Sequence, residues 1–328
     1  MSFGRVRLRP SSRRPLVLMV VLALVLMSAS AAPLHETART TPVSDLPDVT
    51  SVPNSAAELP SVSTVPSVVT VATPGGTLTI PILMYHYVLD VSPGSRDVLL
   101  FNLSTSRALF ARQMALLHAE GATPISPAML MQALAAKRAL PPHPVLLTFD
   151  DGYTDFATAA APVLLRYGFA ATDYVVSGLI GHPGYMTAAQ VKRMDAEGLV
   201  IGSHTVHHVD LAAVAPAVAL AEIYGGKAAL EQLLGHTVLD FAYPYGGFNA
   251  AVVQLVRAAG FRDAVTTMGG DTQTLAGAFV LHRTHIGGAM SLATFAALAG
   301  IPPPTAAQLV AIGRSTPAQL AWLARLAN

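Results

Sequence analysis

The chain has 328 residues, 52% hydrophobic and 12% charged, which is enough apolar material for one large domain or two small ones and excludes a wholly disordered chain. Its formal net charge is +1, yet residues 1–32 hold five arginines and no acid; the remainder carries 15 basic and 19 acidic residues, a balance that gives no electrostatic footprint for nucleic acid. There is no cysteine, which excludes disulfides, thiolate-bound metals, a Cys nucleophile and a lipid-modified N-terminal Cys.

Residues 1–32 read as an export signal. Arg5, Arg7, Arg9, Arg13 and Arg14 precede the apolar run "PLVLMVVLALVLM" (15–27), and "SASAAP" follows with small residues at Ala29 and Ala31. The run is shorter than the ~20 residues that span a bilayer as a helix. A cleaved signal peptide is therefore expected, with an uncleaved anchor second, and any membrane attachment is expected only through this segment. The expected location is periplasm, cell envelope or extracellular space. Residues 33–76 are rich in Pro, Ser, Thr and Val without an amphipathic period, the composition of an extended linker.

From residue 77 to 300 the pattern changes to strand-like runs alternating with helix-like segments. The strand candidates are 77–88, 144–151, 171–178, 199–205, 240–246, 263–268 and 279–287. The helix candidates are 106–120, 154–167, 187–197, 215–234, 249–259 and 291–298; the third opens on Thr187 and Gln190, a capping-box pair. Such alternation predicts an α/β fold, a distorted barrel of about seven parallel strands with its chemistry at the strands' C-terminal ends. In the tail, 301–328, "PAQLAWLARLA" predicts an amphipathic helix packed on the barrel.

The chemistry-bearing residues fall at those strand ends. Asp150 and Asp151 close "PVLLTFDD". Two adjacent carboxylates at the end of a buried strand repel each other and lose solvation, a cost that a divalent cation offsets while depressing both pKa values. A turn with a helix N-cap is the plainer use of such a pair. His204 and His208, four apart in "SHTVHH", make a half-site for zinc if one turn of helix follows the strand; a structurally satisfied pair is about as common. There is no HExxH glutamate, which disfavours a zinc protease of that type.

"TFDDG" (148–152), "HTVHH" (204–208) and "FAYPYG" (241–246), in this order, resemble three motifs of the polysaccharide deacetylase family, the NodB-like domain; "PILMYHYV" (81–88) and "YMTAAQ" (185–190) are similar to it as well. The resemblance spans roughly residues 78–300. It implies a metal-dependent hydrolase that removes acetyl groups from an acetylated glycan, with Zn²⁺ as the expected ion and Co²⁺ or Ni²⁺ as alternatives. It implies Asp150 as general base, Asp151, His204 and His208 as metal ligands, and the Tyr245 N–H as oxyanion donor. His285 is the candidate general acid, with His282 as the alternative. A same-mechanism deacylase of small molecules and a glycan-binding relative without activity are the other readings; a monomer is expected.

One position departs from the family's pattern. Where an arginine usually precedes the motif's proline by four residues, this chain has Asp240. Asp150 then needs another partner. Arg283, two residues before His285 on a candidate strand, shares a face with it by alternation and is expected to point into the barrel and pair with Asp150.

Overall fold

In a computed structural model the described residues are 76–326, with side chains described up to Thr316 and again at Ala321. The expectations for residues 1–75, an export signal and most of a linker, lie outside them. In chain order the elements are β1 (Thr77–Thr79), β2 (Ile82–Tyr85), α1 (Val98–Leu103), α2 (Arg107–Ala119), β3 (Thr123–Pro124), α3 (Pro127–Leu134) and β4 (Pro144–Asp151). They continue through α4 (Ala161–Arg166), β5 (Thr172–Val175), α5 (Ala188–Ala196), β6 (Val200–Ser203), α6 (Pro216–Leu234) and β7 (Asp240–Ala242). The last are α7 (Ala250–Ala258), β8 (Asp263–Val265), β9 (Thr272–Thr274), β10 (Thr284–His285), α8 (Leu292–Leu298) and α9 (Ala306–Leu326).

Seven parallel strands run in the order β10-β2-β4-β5-β6-β7-β8, with β3 added beside the start of β4. The two outer strands are joined by the chain itself. Leu281 forms a bridge with Val265 on β8, and three residues later, at Thr284, β10 pairs with β2. The barrel is thus closed by one short segment rather than a full ladder, which is the distortion expected of the α/β fold. The segment 279–287, read as one strand, is a strand only at Thr284–His285, because it must bend from β8 to β2.

Side chains alternate across this sheet. Leu146, Tyr174, Ala242, Val265 and Leu281 fill the interior, while Leu147, Phe149, Val175, Ile201 and Phe241 face the helices. Burying the side chains of this helix-side cluster supplies the dominant driving force.

Three expectations shift. The run 77–88 divides at Pro81, which has no N–H for a ladder: β1 pairs antiparallel with β9, and only β2 joins the barrel. The predicted helix 154–167 opens as a π-helical turn, Phe156–Ala160, because Pro162 cannot donate back to Thr158, and becomes α-helical from Ala161. The tail helix is longer than expected: α9 starts at Ala306 and packs on α2, with Ile312 buried and Gln308 donating to Glu120. Helices α1 and α3 and strands β3 and β9 went unpredicted. Among the described residues, no helix is long and apolar enough to cross a membrane.

Candidate metal centre and active-site cleft

β4 delivers both aspartates to the C-terminal mouth of the barrel. Asp150 lies in register with Tyr174, so its side chain points inward. Asp151 takes a left-handed backbone (φ +82°), as does Gly152 after it, where a Cβ would meet the Val175 side chain at 3.0 Å. That turn swings the Asp151 carboxylate across the mouth.

There it meets the two histidines. His204 Nε2 lies 3.5 Å and His208 Nε2 3.2 Å from Asp151 Oδ1. The three ligand atoms lie within 4.8 Å of one another. Asp151 Oδ1 is buried and accepts no hydrogen bond. His204 Nδ1 is 2.8 Å from the Ala242 carbonyl; an N–H there leaves the Nε2 lone pair facing Asp151. An orphaned carboxylate oxygen and two imidazole nitrogens converging on one point fit a divalent ion of the zinc type. Burial alone would raise the Asp151 pKa, but His208, His204 and His86 hold it below the usual carboxylate range. His204, desolvated, sits below its ordinary value and is neutral, the form that ligates.

Asp150 is held differently. Arg283 Nη1 and Nη2 donate to its two oxygens at 2.7 Å each, a bidentate pair. Arg283 is buried (1% exposed); its Nε donates to the Thr266 carbonyl at 2.8 Å, and its guanidinium lies 5.7 Å from the Tyr174 ring. The alternation argument therefore holds for the direction of Arg283. Despite the burial that opposes it, this guanidinium keeps Asp150 ionised, with a lowered pKa.

Tyr245 stands on the rim, 67% exposed, with a left-handed backbone (φ +57°) and its ring packed edge-on against His208 at 4.5 Å. His285 is exposed and sits behind His86, ring centroids 6.0 Å apart. Partial desolvation of its ring, and then His86 and Arg283, lower its pKa. The alternative, His282, is turned away: its backbone is clasped by Gln273, and its ring lies against Gly270.

The cleft in front of the Asp151–His204–His208 cluster has a volume of about 520 Å³. Sequence reasoning missed part of its wall. His86 lines it directly, at the end of β2, and the strand-end rule that found the other groups would have found it too. Tyr87 and Tyr153 are stacked at 3.8 Å, with Tyr185 5.0 Å from Tyr153, and all three line the cleft. Leu99, Leu100 and Leu103 of α1 form an apolar side.

A polysaccharide deacetylase family model matches residues 137–264. YxkH of Bacillus subtilis (strain 168), provisionally named a polysaccharide deacetylase, is 31% identical over 218 residues, 66% of this chain and 75% of that protein. A chitin deacetylase of Pestalotiopsis sp is 32% identical over 120 residues, 37% of this chain and 40% of the enzyme. Among solved structures, the Streptococcus pyogenes deacetylase PplD in complex with acetate superposes with a TM-score of 0.62 at 32% identity, over 67% of this chain and 98% of PplD.

Proposed function

Because the chain belongs to the polysaccharide deacetylase family and is a hydrolase of carbon–nitrogen bonds other than peptide bonds, we propose that it removes acetyl groups from an N-acetylated amino-sugar polysaccharide outside the cytoplasm. The observation that carries this reading is the convergence of Asp151, His204 and His208 beside an Asp150 that Arg283 holds in place, at the floor of an open cleft.

Asp151, His204 and His208 hold a divalent ion, Zn²⁺ by the chemistry of the set, with Co²⁺ or Ni²⁺ as substitutes. When bound, such an ion would act as a Lewis acid and lower the pKa of water toward about 7. Asp150 accepts the proton of the attacking water, and its carboxylate stays aimed because both oxygens are tied to Arg283. The Tyr245 N–H donates to the oxygen of the acetyl carbonyl as charge develops on it, where a fixed donor is worth about 3–4 kcal/mol. The departing nitrogen takes its proton from the histidines at the rim, His285 with His86 before it; the lowered pKa of His285 makes its protonated form a stronger acid.

The export reading of residues 1–32 and the linker reading of 33–76 support a glycan outside the cytoplasm as the substrate. Acetate release from a panel of N-acetylated glucosamine polymers and small N-acyl compounds, with and without chelator, tests the proposal. Chelator-sensitive release from polymers is expected; turnover confined to the small compounds, or unaffected by metal removal, overturns it. Mass spectrometry of protein from its native cell should find a mature N-terminus near Ala32 or Pro33, and a cytoplasmic form that retains Met1 as the main species would end the export reading.

A further inference from the structure

The loop that carries both histidines has an uncommon shape. Thr205 (φ +67°) and His208 (φ +57°) are both left-handed without being glycine. Such residues persist only where their surroundings over-determine them. Here the surroundings are two backbone contacts and one buried carboxylate. On one side Ser177 N–H donates to the Thr205 carbonyl at 3.1 Å and Gly178 N–H to the Val206 carbonyl at 2.9 Å. On the other side stands Glu222 of α6, buried among the loop and its own helix. Its Oε2 accepts from Val206 N–H at 3.0 Å and His207 N–H at 2.8 Å, and its Oε1 lies 2.7 Å from His207 Nδ1.

α6 can come this close because of Gly226, where a Cβ would lie 2.8 Å from the Thr205 backbone. Three of Glu222's contacts therefore fall on the residues between His204 and His208, and none on the histidines themselves. Left without that acceptor, two amides would point into a buried helix face, and the loop would relax toward a conformation in which the two Nε2 atoms no longer face Asp151.

We propose that Glu222 is a positioning residue for metal binding: it locks the 204–208 loop so that His204 and His208 present Nε2 to the same point. The inference rests on the reading of those histidines as metal ligands. Residues that orient ligands from behind typically alter metal affinity by about 10–100-fold when removed.

The test uses the full chain and Zn²⁺ alone. Zinc affinity is measured by competition with a chromophoric chelator for the unchanged protein and for Glu222→Ala, Glu222→Gln and His207→Ala, together with the metal-free melting temperature of each. Glu222→Ala should bind zinc about 10–100-fold more weakly. Glu222→Gln, which keeps one oxygen for the two amides, should lose less, and His207→Ala least. Turnover by Glu222→Gln should return toward that of the unchanged protein as zinc is raised. A purely structural Glu222 would lower the metal-free melting temperature while leaving zinc affinity unchanged, and that result overturns the proposal. Should Glu222→Ala fail to fold, zinc affinity of Glu222→Gln equal to that of the unchanged protein does the same. A His204→Ala, His208→Ala double variant run alongside separates the two ideas: undiminished zinc binding there removes the metal reading and this proposal with it, whereas lost binding there with full affinity in the Glu222 variants removes this proposal alone.

Discussion

The barrel interior holds two aspartate pairs, each with an arginine, one at either end. At the mouth are Asp150, Asp151 and Arg283; at the floor are Asp240, Asp263 and Arg262. All four carboxylates are buried. Tyr174 stands between the groups, its ring below Arg283, in a place that exists because a Cβ at Gly202 would collide with it. The floor pair closes on itself. Asp240 and Asp263 are register partners on β7 and β8, Arg262 reaches both, and burial together with the neighbouring Asp240 pushes Asp263 far up, so that it keeps its proton. The mouth pair is split. Arg283 spends its fork on Asp150 alone, and Asp151 is left with a free oxygen facing two histidines and a cleft. A buried acid pair is thus no signature of chemistry by itself. What marks the reactive one is that its charge is divided between a fixed partner and an open coordination point.

Substitutions at the two ends should break that contrast if it is wrong. The largest effect belongs to Asp151→Asn, which removes the ionised ligand: metal content by elemental analysis should fall to a small fraction, and turnover with it. Metal retained at near-stoichiometric level in this variant would put the ligand elsewhere. Asp150→Asn should keep its metal and lose about 10²–10⁴-fold in turnover, the typical contribution of a general base; equal loss of metal in both aspartate variants would mean that the two do not have separate roles. Arg283→Lys keeps the charge but not the fork. It should lower kcat by about 10²-fold, the scale of a misplaced catalytic group, with metal content unchanged. Unaltered kcat would show that Asp150 needs no such partner.

The smallest effect is expected at the floor. Asp263→Asn replaces a carboxyl that is already neutral with a group of the same shape, so turnover should be unchanged, and below about pH 4, where folded and unfolded chain both hold the proton, stability should move by about 1 kcal/mol or less. The sign with pH follows from the raised pKa of Asp263. Below the unfolded value of about 3.9, both states hold the proton and nothing is lost. As pH rises above it, the unfolded chain releases the proton and the folded one retains it, so stability falls toward neutral pH. Asn has no proton to release. The melting temperature of Asp263→Asn relative to the unchanged protein should therefore climb between about pH 4 and 7. A flat or falling difference would mean that Asp263 is ionised in the fold and that the floor resembles the mouth more closely than the geometry shows.

Asp240 shows where sequence reasoning and structure part. In the motif pattern its position is that of an absent arginine, and only the search for a replacement follows from that. Alternation along 279–287 correctly places Arg283 inward, even though most of that segment is not a regular strand, because the segment is still extended where it crosses from β8 to β2. That Asp240 has its own arginine beneath the barrel could not be read, since Arg262 and Asp240 are 22 residues apart on separate elements. Glu222 and α1 were hidden for the same reason: a glutamate on a long helix and a six-residue apolar helix carry no local signal of what they face.

By itself the sequence determined the alternation of strand and helix, the residues that end the strands, and the inward sense of Arg283. Those are local properties, set by the period of the side chains and by the residue types that close each run. Only the tertiary structure decided how the barrel closes at Leu281 and that His282 is turned away from the cleft. It alone decided that Glu222 seats the histidine loop and that of two buried aspartate pairs one is sealed and the other open. Each of these depends on groups far apart in the chain brought together by packing, where burial and the count of available partners, not residue type, settle what an ionisable side chain does.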